Sequence, residues 1–307
     1  MLKNRKKSLA AITLAASVAL SSAALTSCSD GGHVRRSGRN EHYRISERAL
    51  GPTARGSAGT LCGRTIVVSI FASDPVYKWD FDCEDRKSML NIRDSLKMAC
   101  DYLTDAAGSY GSKTWFESDF ISNPDLMYTC SFDDVITTWD AVVDGTTDEC
   151  GWDYIDDTID EEALRDEFRA DNVVYMFFMN TDAATDAISC TRNWYPGAPS
   201  DAEFVLLYNF DYGCLNPPAV YAHEILHTFG APDLYMSDPS FGIDDSFLYY
   251  IQTDLTNEIM YTCSDRVTGG YIYDDITNEM SEVTAYYLGL IDECDTAEDW
   301  DLRRPYN

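Results

Sequence analysis

The sequence predicts an α+β domain, in which a mixed, twisted sheet packs on one backing helix and on a second helix that carries two histidines. Three observations lead there. Apolar runs rich in β-branched and aromatic residues recur at 64–72, 172–180 and 203–210 and read as buried strands. Other stretches place apolar residues every three to four positions, the mark of helices packed on a core. No internal repeat and no clear linker interrupts residues 62–307, so one domain accounts for them.

Taken in order, residues 1–27 have a basic start, an Ala- and Leu-rich apolar stretch and small residues before Cys28. That pattern marks a secretory signal, too short and too broken by Ser and Thr for a membrane span. Its end, "LTSC", resembles the bacterial lipobox, which implies lipidation at Cys28 and an exported protein anchored to the outside of a membrane. Residues 28–61 are rich in Gly, Ser and Arg and read as a flexible linker or short pro-segment. "RTIVVSIFA" (64–72) begins the domain as a strand. A helix follows over 84–104, with Met89, Ile92, Leu96, Ala99 and Leu103 on one face. Beyond it, 105–170 shows little pattern except a short helix near 159–170. Strands are expected at 172–180 and 203–210, with "AISCTRNWY" (187–195) as a third candidate between them. The histidine helix is expected to start at Pro217, capped by Asn216, and to stop at Gly230. A last helix over 276–291 would align Ile276, Met280, Val283, Tyr287 and Leu290.

Composition narrows the partners. Residues 62–307 carry 13 basic and 49 acidic side chains, and that charge disfavours nucleic acid and anionic lipid surfaces. The acid runs "DYIDDTIDEE", "GIDDS" and "YDDIT" leave Ca2+ in loops open, although none has EF-hand spacing and solvated surface explains them as well. Nine cysteines follow Cys28 with no CxxC pair, which suggests disulfides in an oxidising compartment and leaves an odd thiol. A monomer is expected.

The chemistry concentrates in "HEILHTFGAPDLY" at 223–235. Ala222, Ile225, Leu226 and Phe229 form a core face, while His223 and His227 lie one turn apart beside it. Two imidazoles held on a helix make a bidentate clamp for Zn2+, with Glu224 placed to accept a proton from water. The same spacing on a solvated helix edge would mean nothing. Against that, these are the only histidines after residue 42, and Gly230 and Asp233 follow His227 at three-residue intervals.

With those residues, the chain resembles the metzincin zinc peptidases, whose motif runs His-Glu-x-x-His-x-x-Gly-x-x-His/Asp and is followed by a methionine turn. The wording "GAPDLY" is most similar to the immune-inhibitor-A type, with the snapalysin-like group close behind. The resemblance implies a zinc-dependent endopeptidase acting on extracellular protein or peptide, with His223, His227 and Asp233 as ligands, Glu224 as general base and Met260 in the turn. An Asp after Pro232 also suits a plain turn. Several such families place an oxyanion-holding tyrosine two positions after the methionine. Thr262 stands there, leaving Tyr261 and Tyr235 as candidates.

Three other readings compete. A thermolysin-like peptidase would take Glu279 or Glu282 as third ligand, although that leaves Gly230 and Asp233 without a role. A non-catalytic surface lipoprotein would use the many Tyr and Trp residues to bind a polymer, although an intact Glu224 is then unneeded. In a latent form, Cys62 would cover the metal. Substrate alignment is expected along an edge strand near 187–195 or 203–210.

Overall fold

The computed structural model describes residues 56–304 apart from 82, 194–199 and 212. The expected lipidation site, Cys28, and most of the linker lie outside the described residues. Gly56 to Leu61 already belong to the folded domain, with Ala58 and Leu61 fully buried, so the domain starts ahead of the expected boundary at 62.

The described chain is α+β. Its main sheet contains β1 (Gly63–Ser73), β2 (Thr114–Glu117), β3 (Met127–Ser131), β4 (Asn172–Met179), β5 (Cys190–Arg192) and β6 (Phe204–Tyr208). The order is β2-β1-β4-β6-β5, and β3 pairs with the second half of the long β1. All neighbours run parallel except β5, which lies antiparallel to β6 at the edge. Strands β1, β4 and β6 read as unbroken apolar runs because both of their faces are covered. A two-stranded hairpin, β7 (Phe210–Asp211) and β8 (Cys214–Leu215), leads out of the sheet.

The backing helix α1 (Cys83–Ser109) is longer than expected at both ends. Ile92, Leu96, Ala99 and Leu103 are buried as the periodicity requires. The segment 105–170 that lacked a pattern supplies β2, β3 and the helices α2 (Trp139–Asp144), α3 (Thr146–Thr158) and α4 (Glu161–Phe168). Helix α4 is the short helix expected near 159–170; β2, β3 and α2 are too short for a period to show, and the 13-residue α3 was not expected. The histidine helix, α5 (Pro218–Thr228), packs against α1. Its remaining neighbours along the chain are α6 (Asp245–Asp254), α7 (Glu282–Tyr287) and α8 (Asp295–Asp299).

Two helix boundaries differ from expectation. Asn216 does not cap α5. Its amide donates to Ser189 Oγ and to the Tyr208 carbonyl, which ties the helix entrance to the sheet, and Pro217 holds the cap position. The last helix is one and a half turns rather than four. Residues before Ser281 are extended because Glu279 pairs its main chain with Asn257 and Ile259. The buried Glu258 then accepts bonds from the Ser281 amide and the Thr284 hydroxyl, fixing the start of α7.

The eight described cysteines (62, 100, 130, 150, 190, 214, 263 and 294) are unpaired thiols, so the expected disulfides are not formed among them. Among the described residues no helix is long and apolar enough to cross a membrane.

Candidate metal centre

All eleven residues of α5 are buried, the histidines and Glu224 included. The helix ends where expected. Gly230 has φ +91°, a left-handed conformation that favours glycine, and its amide donates to the His227 carbonyl at 2.7 Å. The next amide, Ala231, donates to the Leu226 carbonyl at 3.1 Å, which completes a Schellman turn. This reversal returns Asp233 to the helix. Asp233 Oδ1 lies 3.2 Å from Nε2 of both histidines, and the two Nε2 atoms are 3.1 Å apart. Among the described residues this is the one group of three or more His, Cys, Asp or Glu side chains that could hold a metal ion.

The protons decide what that triangle can do. His223 Nδ1 lies 2.9 Å from the Ile259 carbonyl, and His227 Nδ1 lies 2.7 Å from the Ala231 carbonyl. A carbonyl can only accept, so each Nδ1 carries hydrogen and donates. In the neutral rings both Nε2 lone pairs then face Asp233 Oδ1, a buried atom with no hydrogen-bond donor of its own. Three acceptors converge with no donor between them, an arrangement that calls for a cation. Tetrahedral zinc with bonds of about 2.0–2.1 Å sets its ligands ~3.3–3.4 Å apart, close to the edges of this triangle. The donor set therefore fits zinc, with backbone carbonyls orienting both rings as outer-shell partners do.

The electrostatics agree in direction. Burial by itself would lower the His223 pKa, but the neighbouring Cys263, Asp233 and Glu224 outweigh it and raise the value. His227 behaves likewise, with Asp233 as the main counterweight to burial. Burial would raise Asp233, yet the two histidines pull it well below the usual carboxylate range. The site thus favours positive charge, which protons supply when no ion does.

Glu224 is held separately. Its Oε2 accepts the Thr191 hydroxyl at 2.8 Å, and that hydroxyl also contacts the Glu224 carbonyl at 2.9 Å. Thr191 sits at the middle of β5, the edge strand. A two-pronged Arg192–Asp148 ion pair ties the same strand to α3. Of the two expected alignment segments, 187–195 thus contains the edge strand, whereas 203–210 holds the interior strand β6.

Met260 is fully buried, and its turn braces the site through main-chain atoms. The Met260 carbonyl accepts the Leu234 amide at 2.9 Å, next to Asp233, while the preceding carbonyl orients His223. Tyr235 stacks on the His223 ring with centroids 6.3 Å apart and stays half exposed. Burial and Asp233 push its phenol above the ordinary range. Tyr261 donates its amide to the Glu258 carbonyl and makes no described side-chain contact with the triad. Glu279 lies instead along a cleft between α1 and 275–280, and Glu282 accepts from Thr296, so neither joins the histidines. Cys62 stands ahead of β1 near Asp171, away from the triad.

Residues that the sequence did not single out include Thr191, Glu258 and Cys263, along with the carbonyls of Ala231 and Ile259. None of them belongs to a motif or a period; Glu258 itself stands among polar and apolar residues alike, between Asn257 and Ile259. In comparisons with known proteins, no family model matches the chain and no curated protein matches it.

Proposed function

We propose that the protein is a zinc-dependent endopeptidase of metzincin type, exported and anchored through Cys28. The observation that carries this reading is the convergence of His223 Nε2, His227 Nε2 and Asp233 Oδ1 with the Nδ1 protons already committed to carbonyls. Bound there, zinc supplies a Lewis acid that lowers the pKa of water and polarises a carbonyl. Glu224 accepts the water proton on its carboxylate and passes it to the leaving amine, with Thr191 fixing the carboxylate's angle. An extended peptide adds to β5, the edge strand among the described residues, which brings its backbone beside Glu224. Tyr235, stacked on His223, is the better placed of the two tyrosines to stabilise an oxyanion.

The test is metal content paired with cleavage. Purified protein should hold one zinc per chain and cut casein or gelatin, and both a chelator and Glu224→Ala should abolish cutting. Zinc-loaded protein that cleaves nothing in a broad peptide library would overturn the reading.

A further inference from the structure

Two of the three ligands lean on one short turn, residues 257–262. The Tyr261 and Thr262 amides close it, both donating to the Glu258 carbonyl at 3.0 Å. The next two carbonyls face the metal centre. Ile259 accepts His223 Nδ1 at 2.9 Å, and Met260 accepts the Leu234 amide at 2.9 Å, one residue past Asp233. The third ligand is braced elsewhere: His227 holds the Ala231 carbonyl, inside the Schellman turn that ends α5.

The Glu258 side chain is buried beneath this turn, only 2% exposed. Its carboxylate takes three donors: the Met260 amide at 3.3 Å and the Thr284 hydroxyl at 2.8 Å on Oε1, and the Ser281 amide at 2.7 Å on Oε2. One donor belongs to the turn itself and two to the start of α7. Burying a carboxylate is costly, so an apolar residue would serve better if the position only had to be filled. Main-chain pairing of Asn257 and Ile259 with Glu279 holds the other flank of the turn. Unlike that pairing, the carboxylate's bonds can be removed by changing one side chain.

We propose that Glu258 is a positioning residue for the metal centre: by tying the methionine turn to α7, its carboxylate aims His223 and Asp233, while the turn that ends α5 aims His227. The inference rests on the metal-centre reading for what these side chains hold, but the aiming is a property of the chain itself. With donors on both oxygens, the turn cannot shift without leaving a buried amide or hydroxyl unpaired. Release of the carboxylate lets the Ile259 carbonyl move off the His223 ring and the Met260 carbonyl move off Leu234. His223 Nε2 and Asp233 Oδ1 then lose their common focus, whereas Gly230 and Ala231 keep His227 in place.

Exchange of the ring N–H protons, read by NMR in the metal-free full chain, tests it. In the unaltered protein the Nδ1 protons of His223 and His227 both sit on carbonyls and should exchange slowly with water. Glu258→Gln offers one oxygen where two amides each had their own. It should speed exchange at His223 about tenfold, the worth of one lost hydrogen bond, and leave His227 unchanged. A role confined to capping α7 would instead lower the melting temperature and move both rings alike or neither. Equilibrium dialysis should show zinc affinity lowered by about 10–100-fold, as for other losses around a ligand. Should that variant not fold, Thr284→Val removes one donor from the α7 side and should again move His223 without His227. An unaltered chain that binds no zinc would sink the metal-centre reading, and the ring protons would still decide the role of Glu258. Equal changes at both rings, no change at His223, or unaltered affinity in a chain that does bind zinc would overturn the proposal.

Discussion

Removing the Asp233 carboxylate takes away one of three convergent acceptors and leaves two imidazoles with no third ligand. Asp233→Ala should weaken zinc binding by more than the ~10–100-fold typical of outer-shell losses. Equilibrium dialysis checks it, and full retention of zinc would sink the ligand assignment. Glu224→Gln should keep the metal and lose about 10²–10⁴ in kcat, the worth of a positioned general base. The metal-free protein should also show a defined pH response. The histidine pKa values are raised, so their contribution to stability is full below about pH 6.5 and is lost as pH rises through the raised values. The lowered Asp233 works the other way: its contribution is present above about pH 4 and is lost as pH falls through its folded pKa. Zinc must displace the histidine protons, so its stabilising effect should grow with pH. Melting curves from pH 5 to 9, with chelator and with zinc, should diverge as pH rises; parallel curves would contradict this assignment. At this scale the sequence was most informative where residue type and spacing carry the chemistry, as in His223, Glu224, His227, Gly230 and Asp233. It was silent on Ala231 and Ile259, because a carbonyl looks the same in every residue.

Helix α5 depends on how its C-terminal end is turned. Gly230→Ala forces a side chain into the left-handed region at a cost of about 1–2 kcal/mol. The same turn carries the carbonyl that holds His227, so zinc affinity should fall together with the melting temperature. A variant that loses stability but binds zinc as before would separate the two roles. In α1, truncating the fully buried Leu96 to Ala should cost about 2–5 kcal/mol in denaturant unfolding. Legibility followed element length. Helix α1 shows its period because it is long, and strands β1, β4 and β6 stand out as unbroken apolar runs because they are buried on both faces. The expected helix over 276–291 failed for a different reason: Met280 and Ile276 fit a helical stripe, but Glu279 is drawn into main-chain pairing with the methionine turn. Such pairing is tertiary and leaves no local signature.

Across the whole molecule, residues 62–307 combine 49 acidic with 13 basic side chains, which gives the domain a net negative field. Cationic peptides should be steered toward it, so kcat/KM for a Lys/Arg-rich substrate should fall as salt rises, while a neutral peptide changes little. Equal salt dependence for both would remove the field as a factor in selection. Charge was fully legible in the sequence, whereas the packing of Gly56–Leu61 on the domain was not, because a Gly/Ser-rich segment carries no period of its own. The two carbonyls that aim the histidines have a consequence for inheritance. Side-chain replacement at 231 or 259 cannot delete a main-chain oxygen; only a change in the path of the backbone can. A lineage can therefore replace most of the residues around this centre, to the point where overall likeness fades, and still present the same three atoms to an ion.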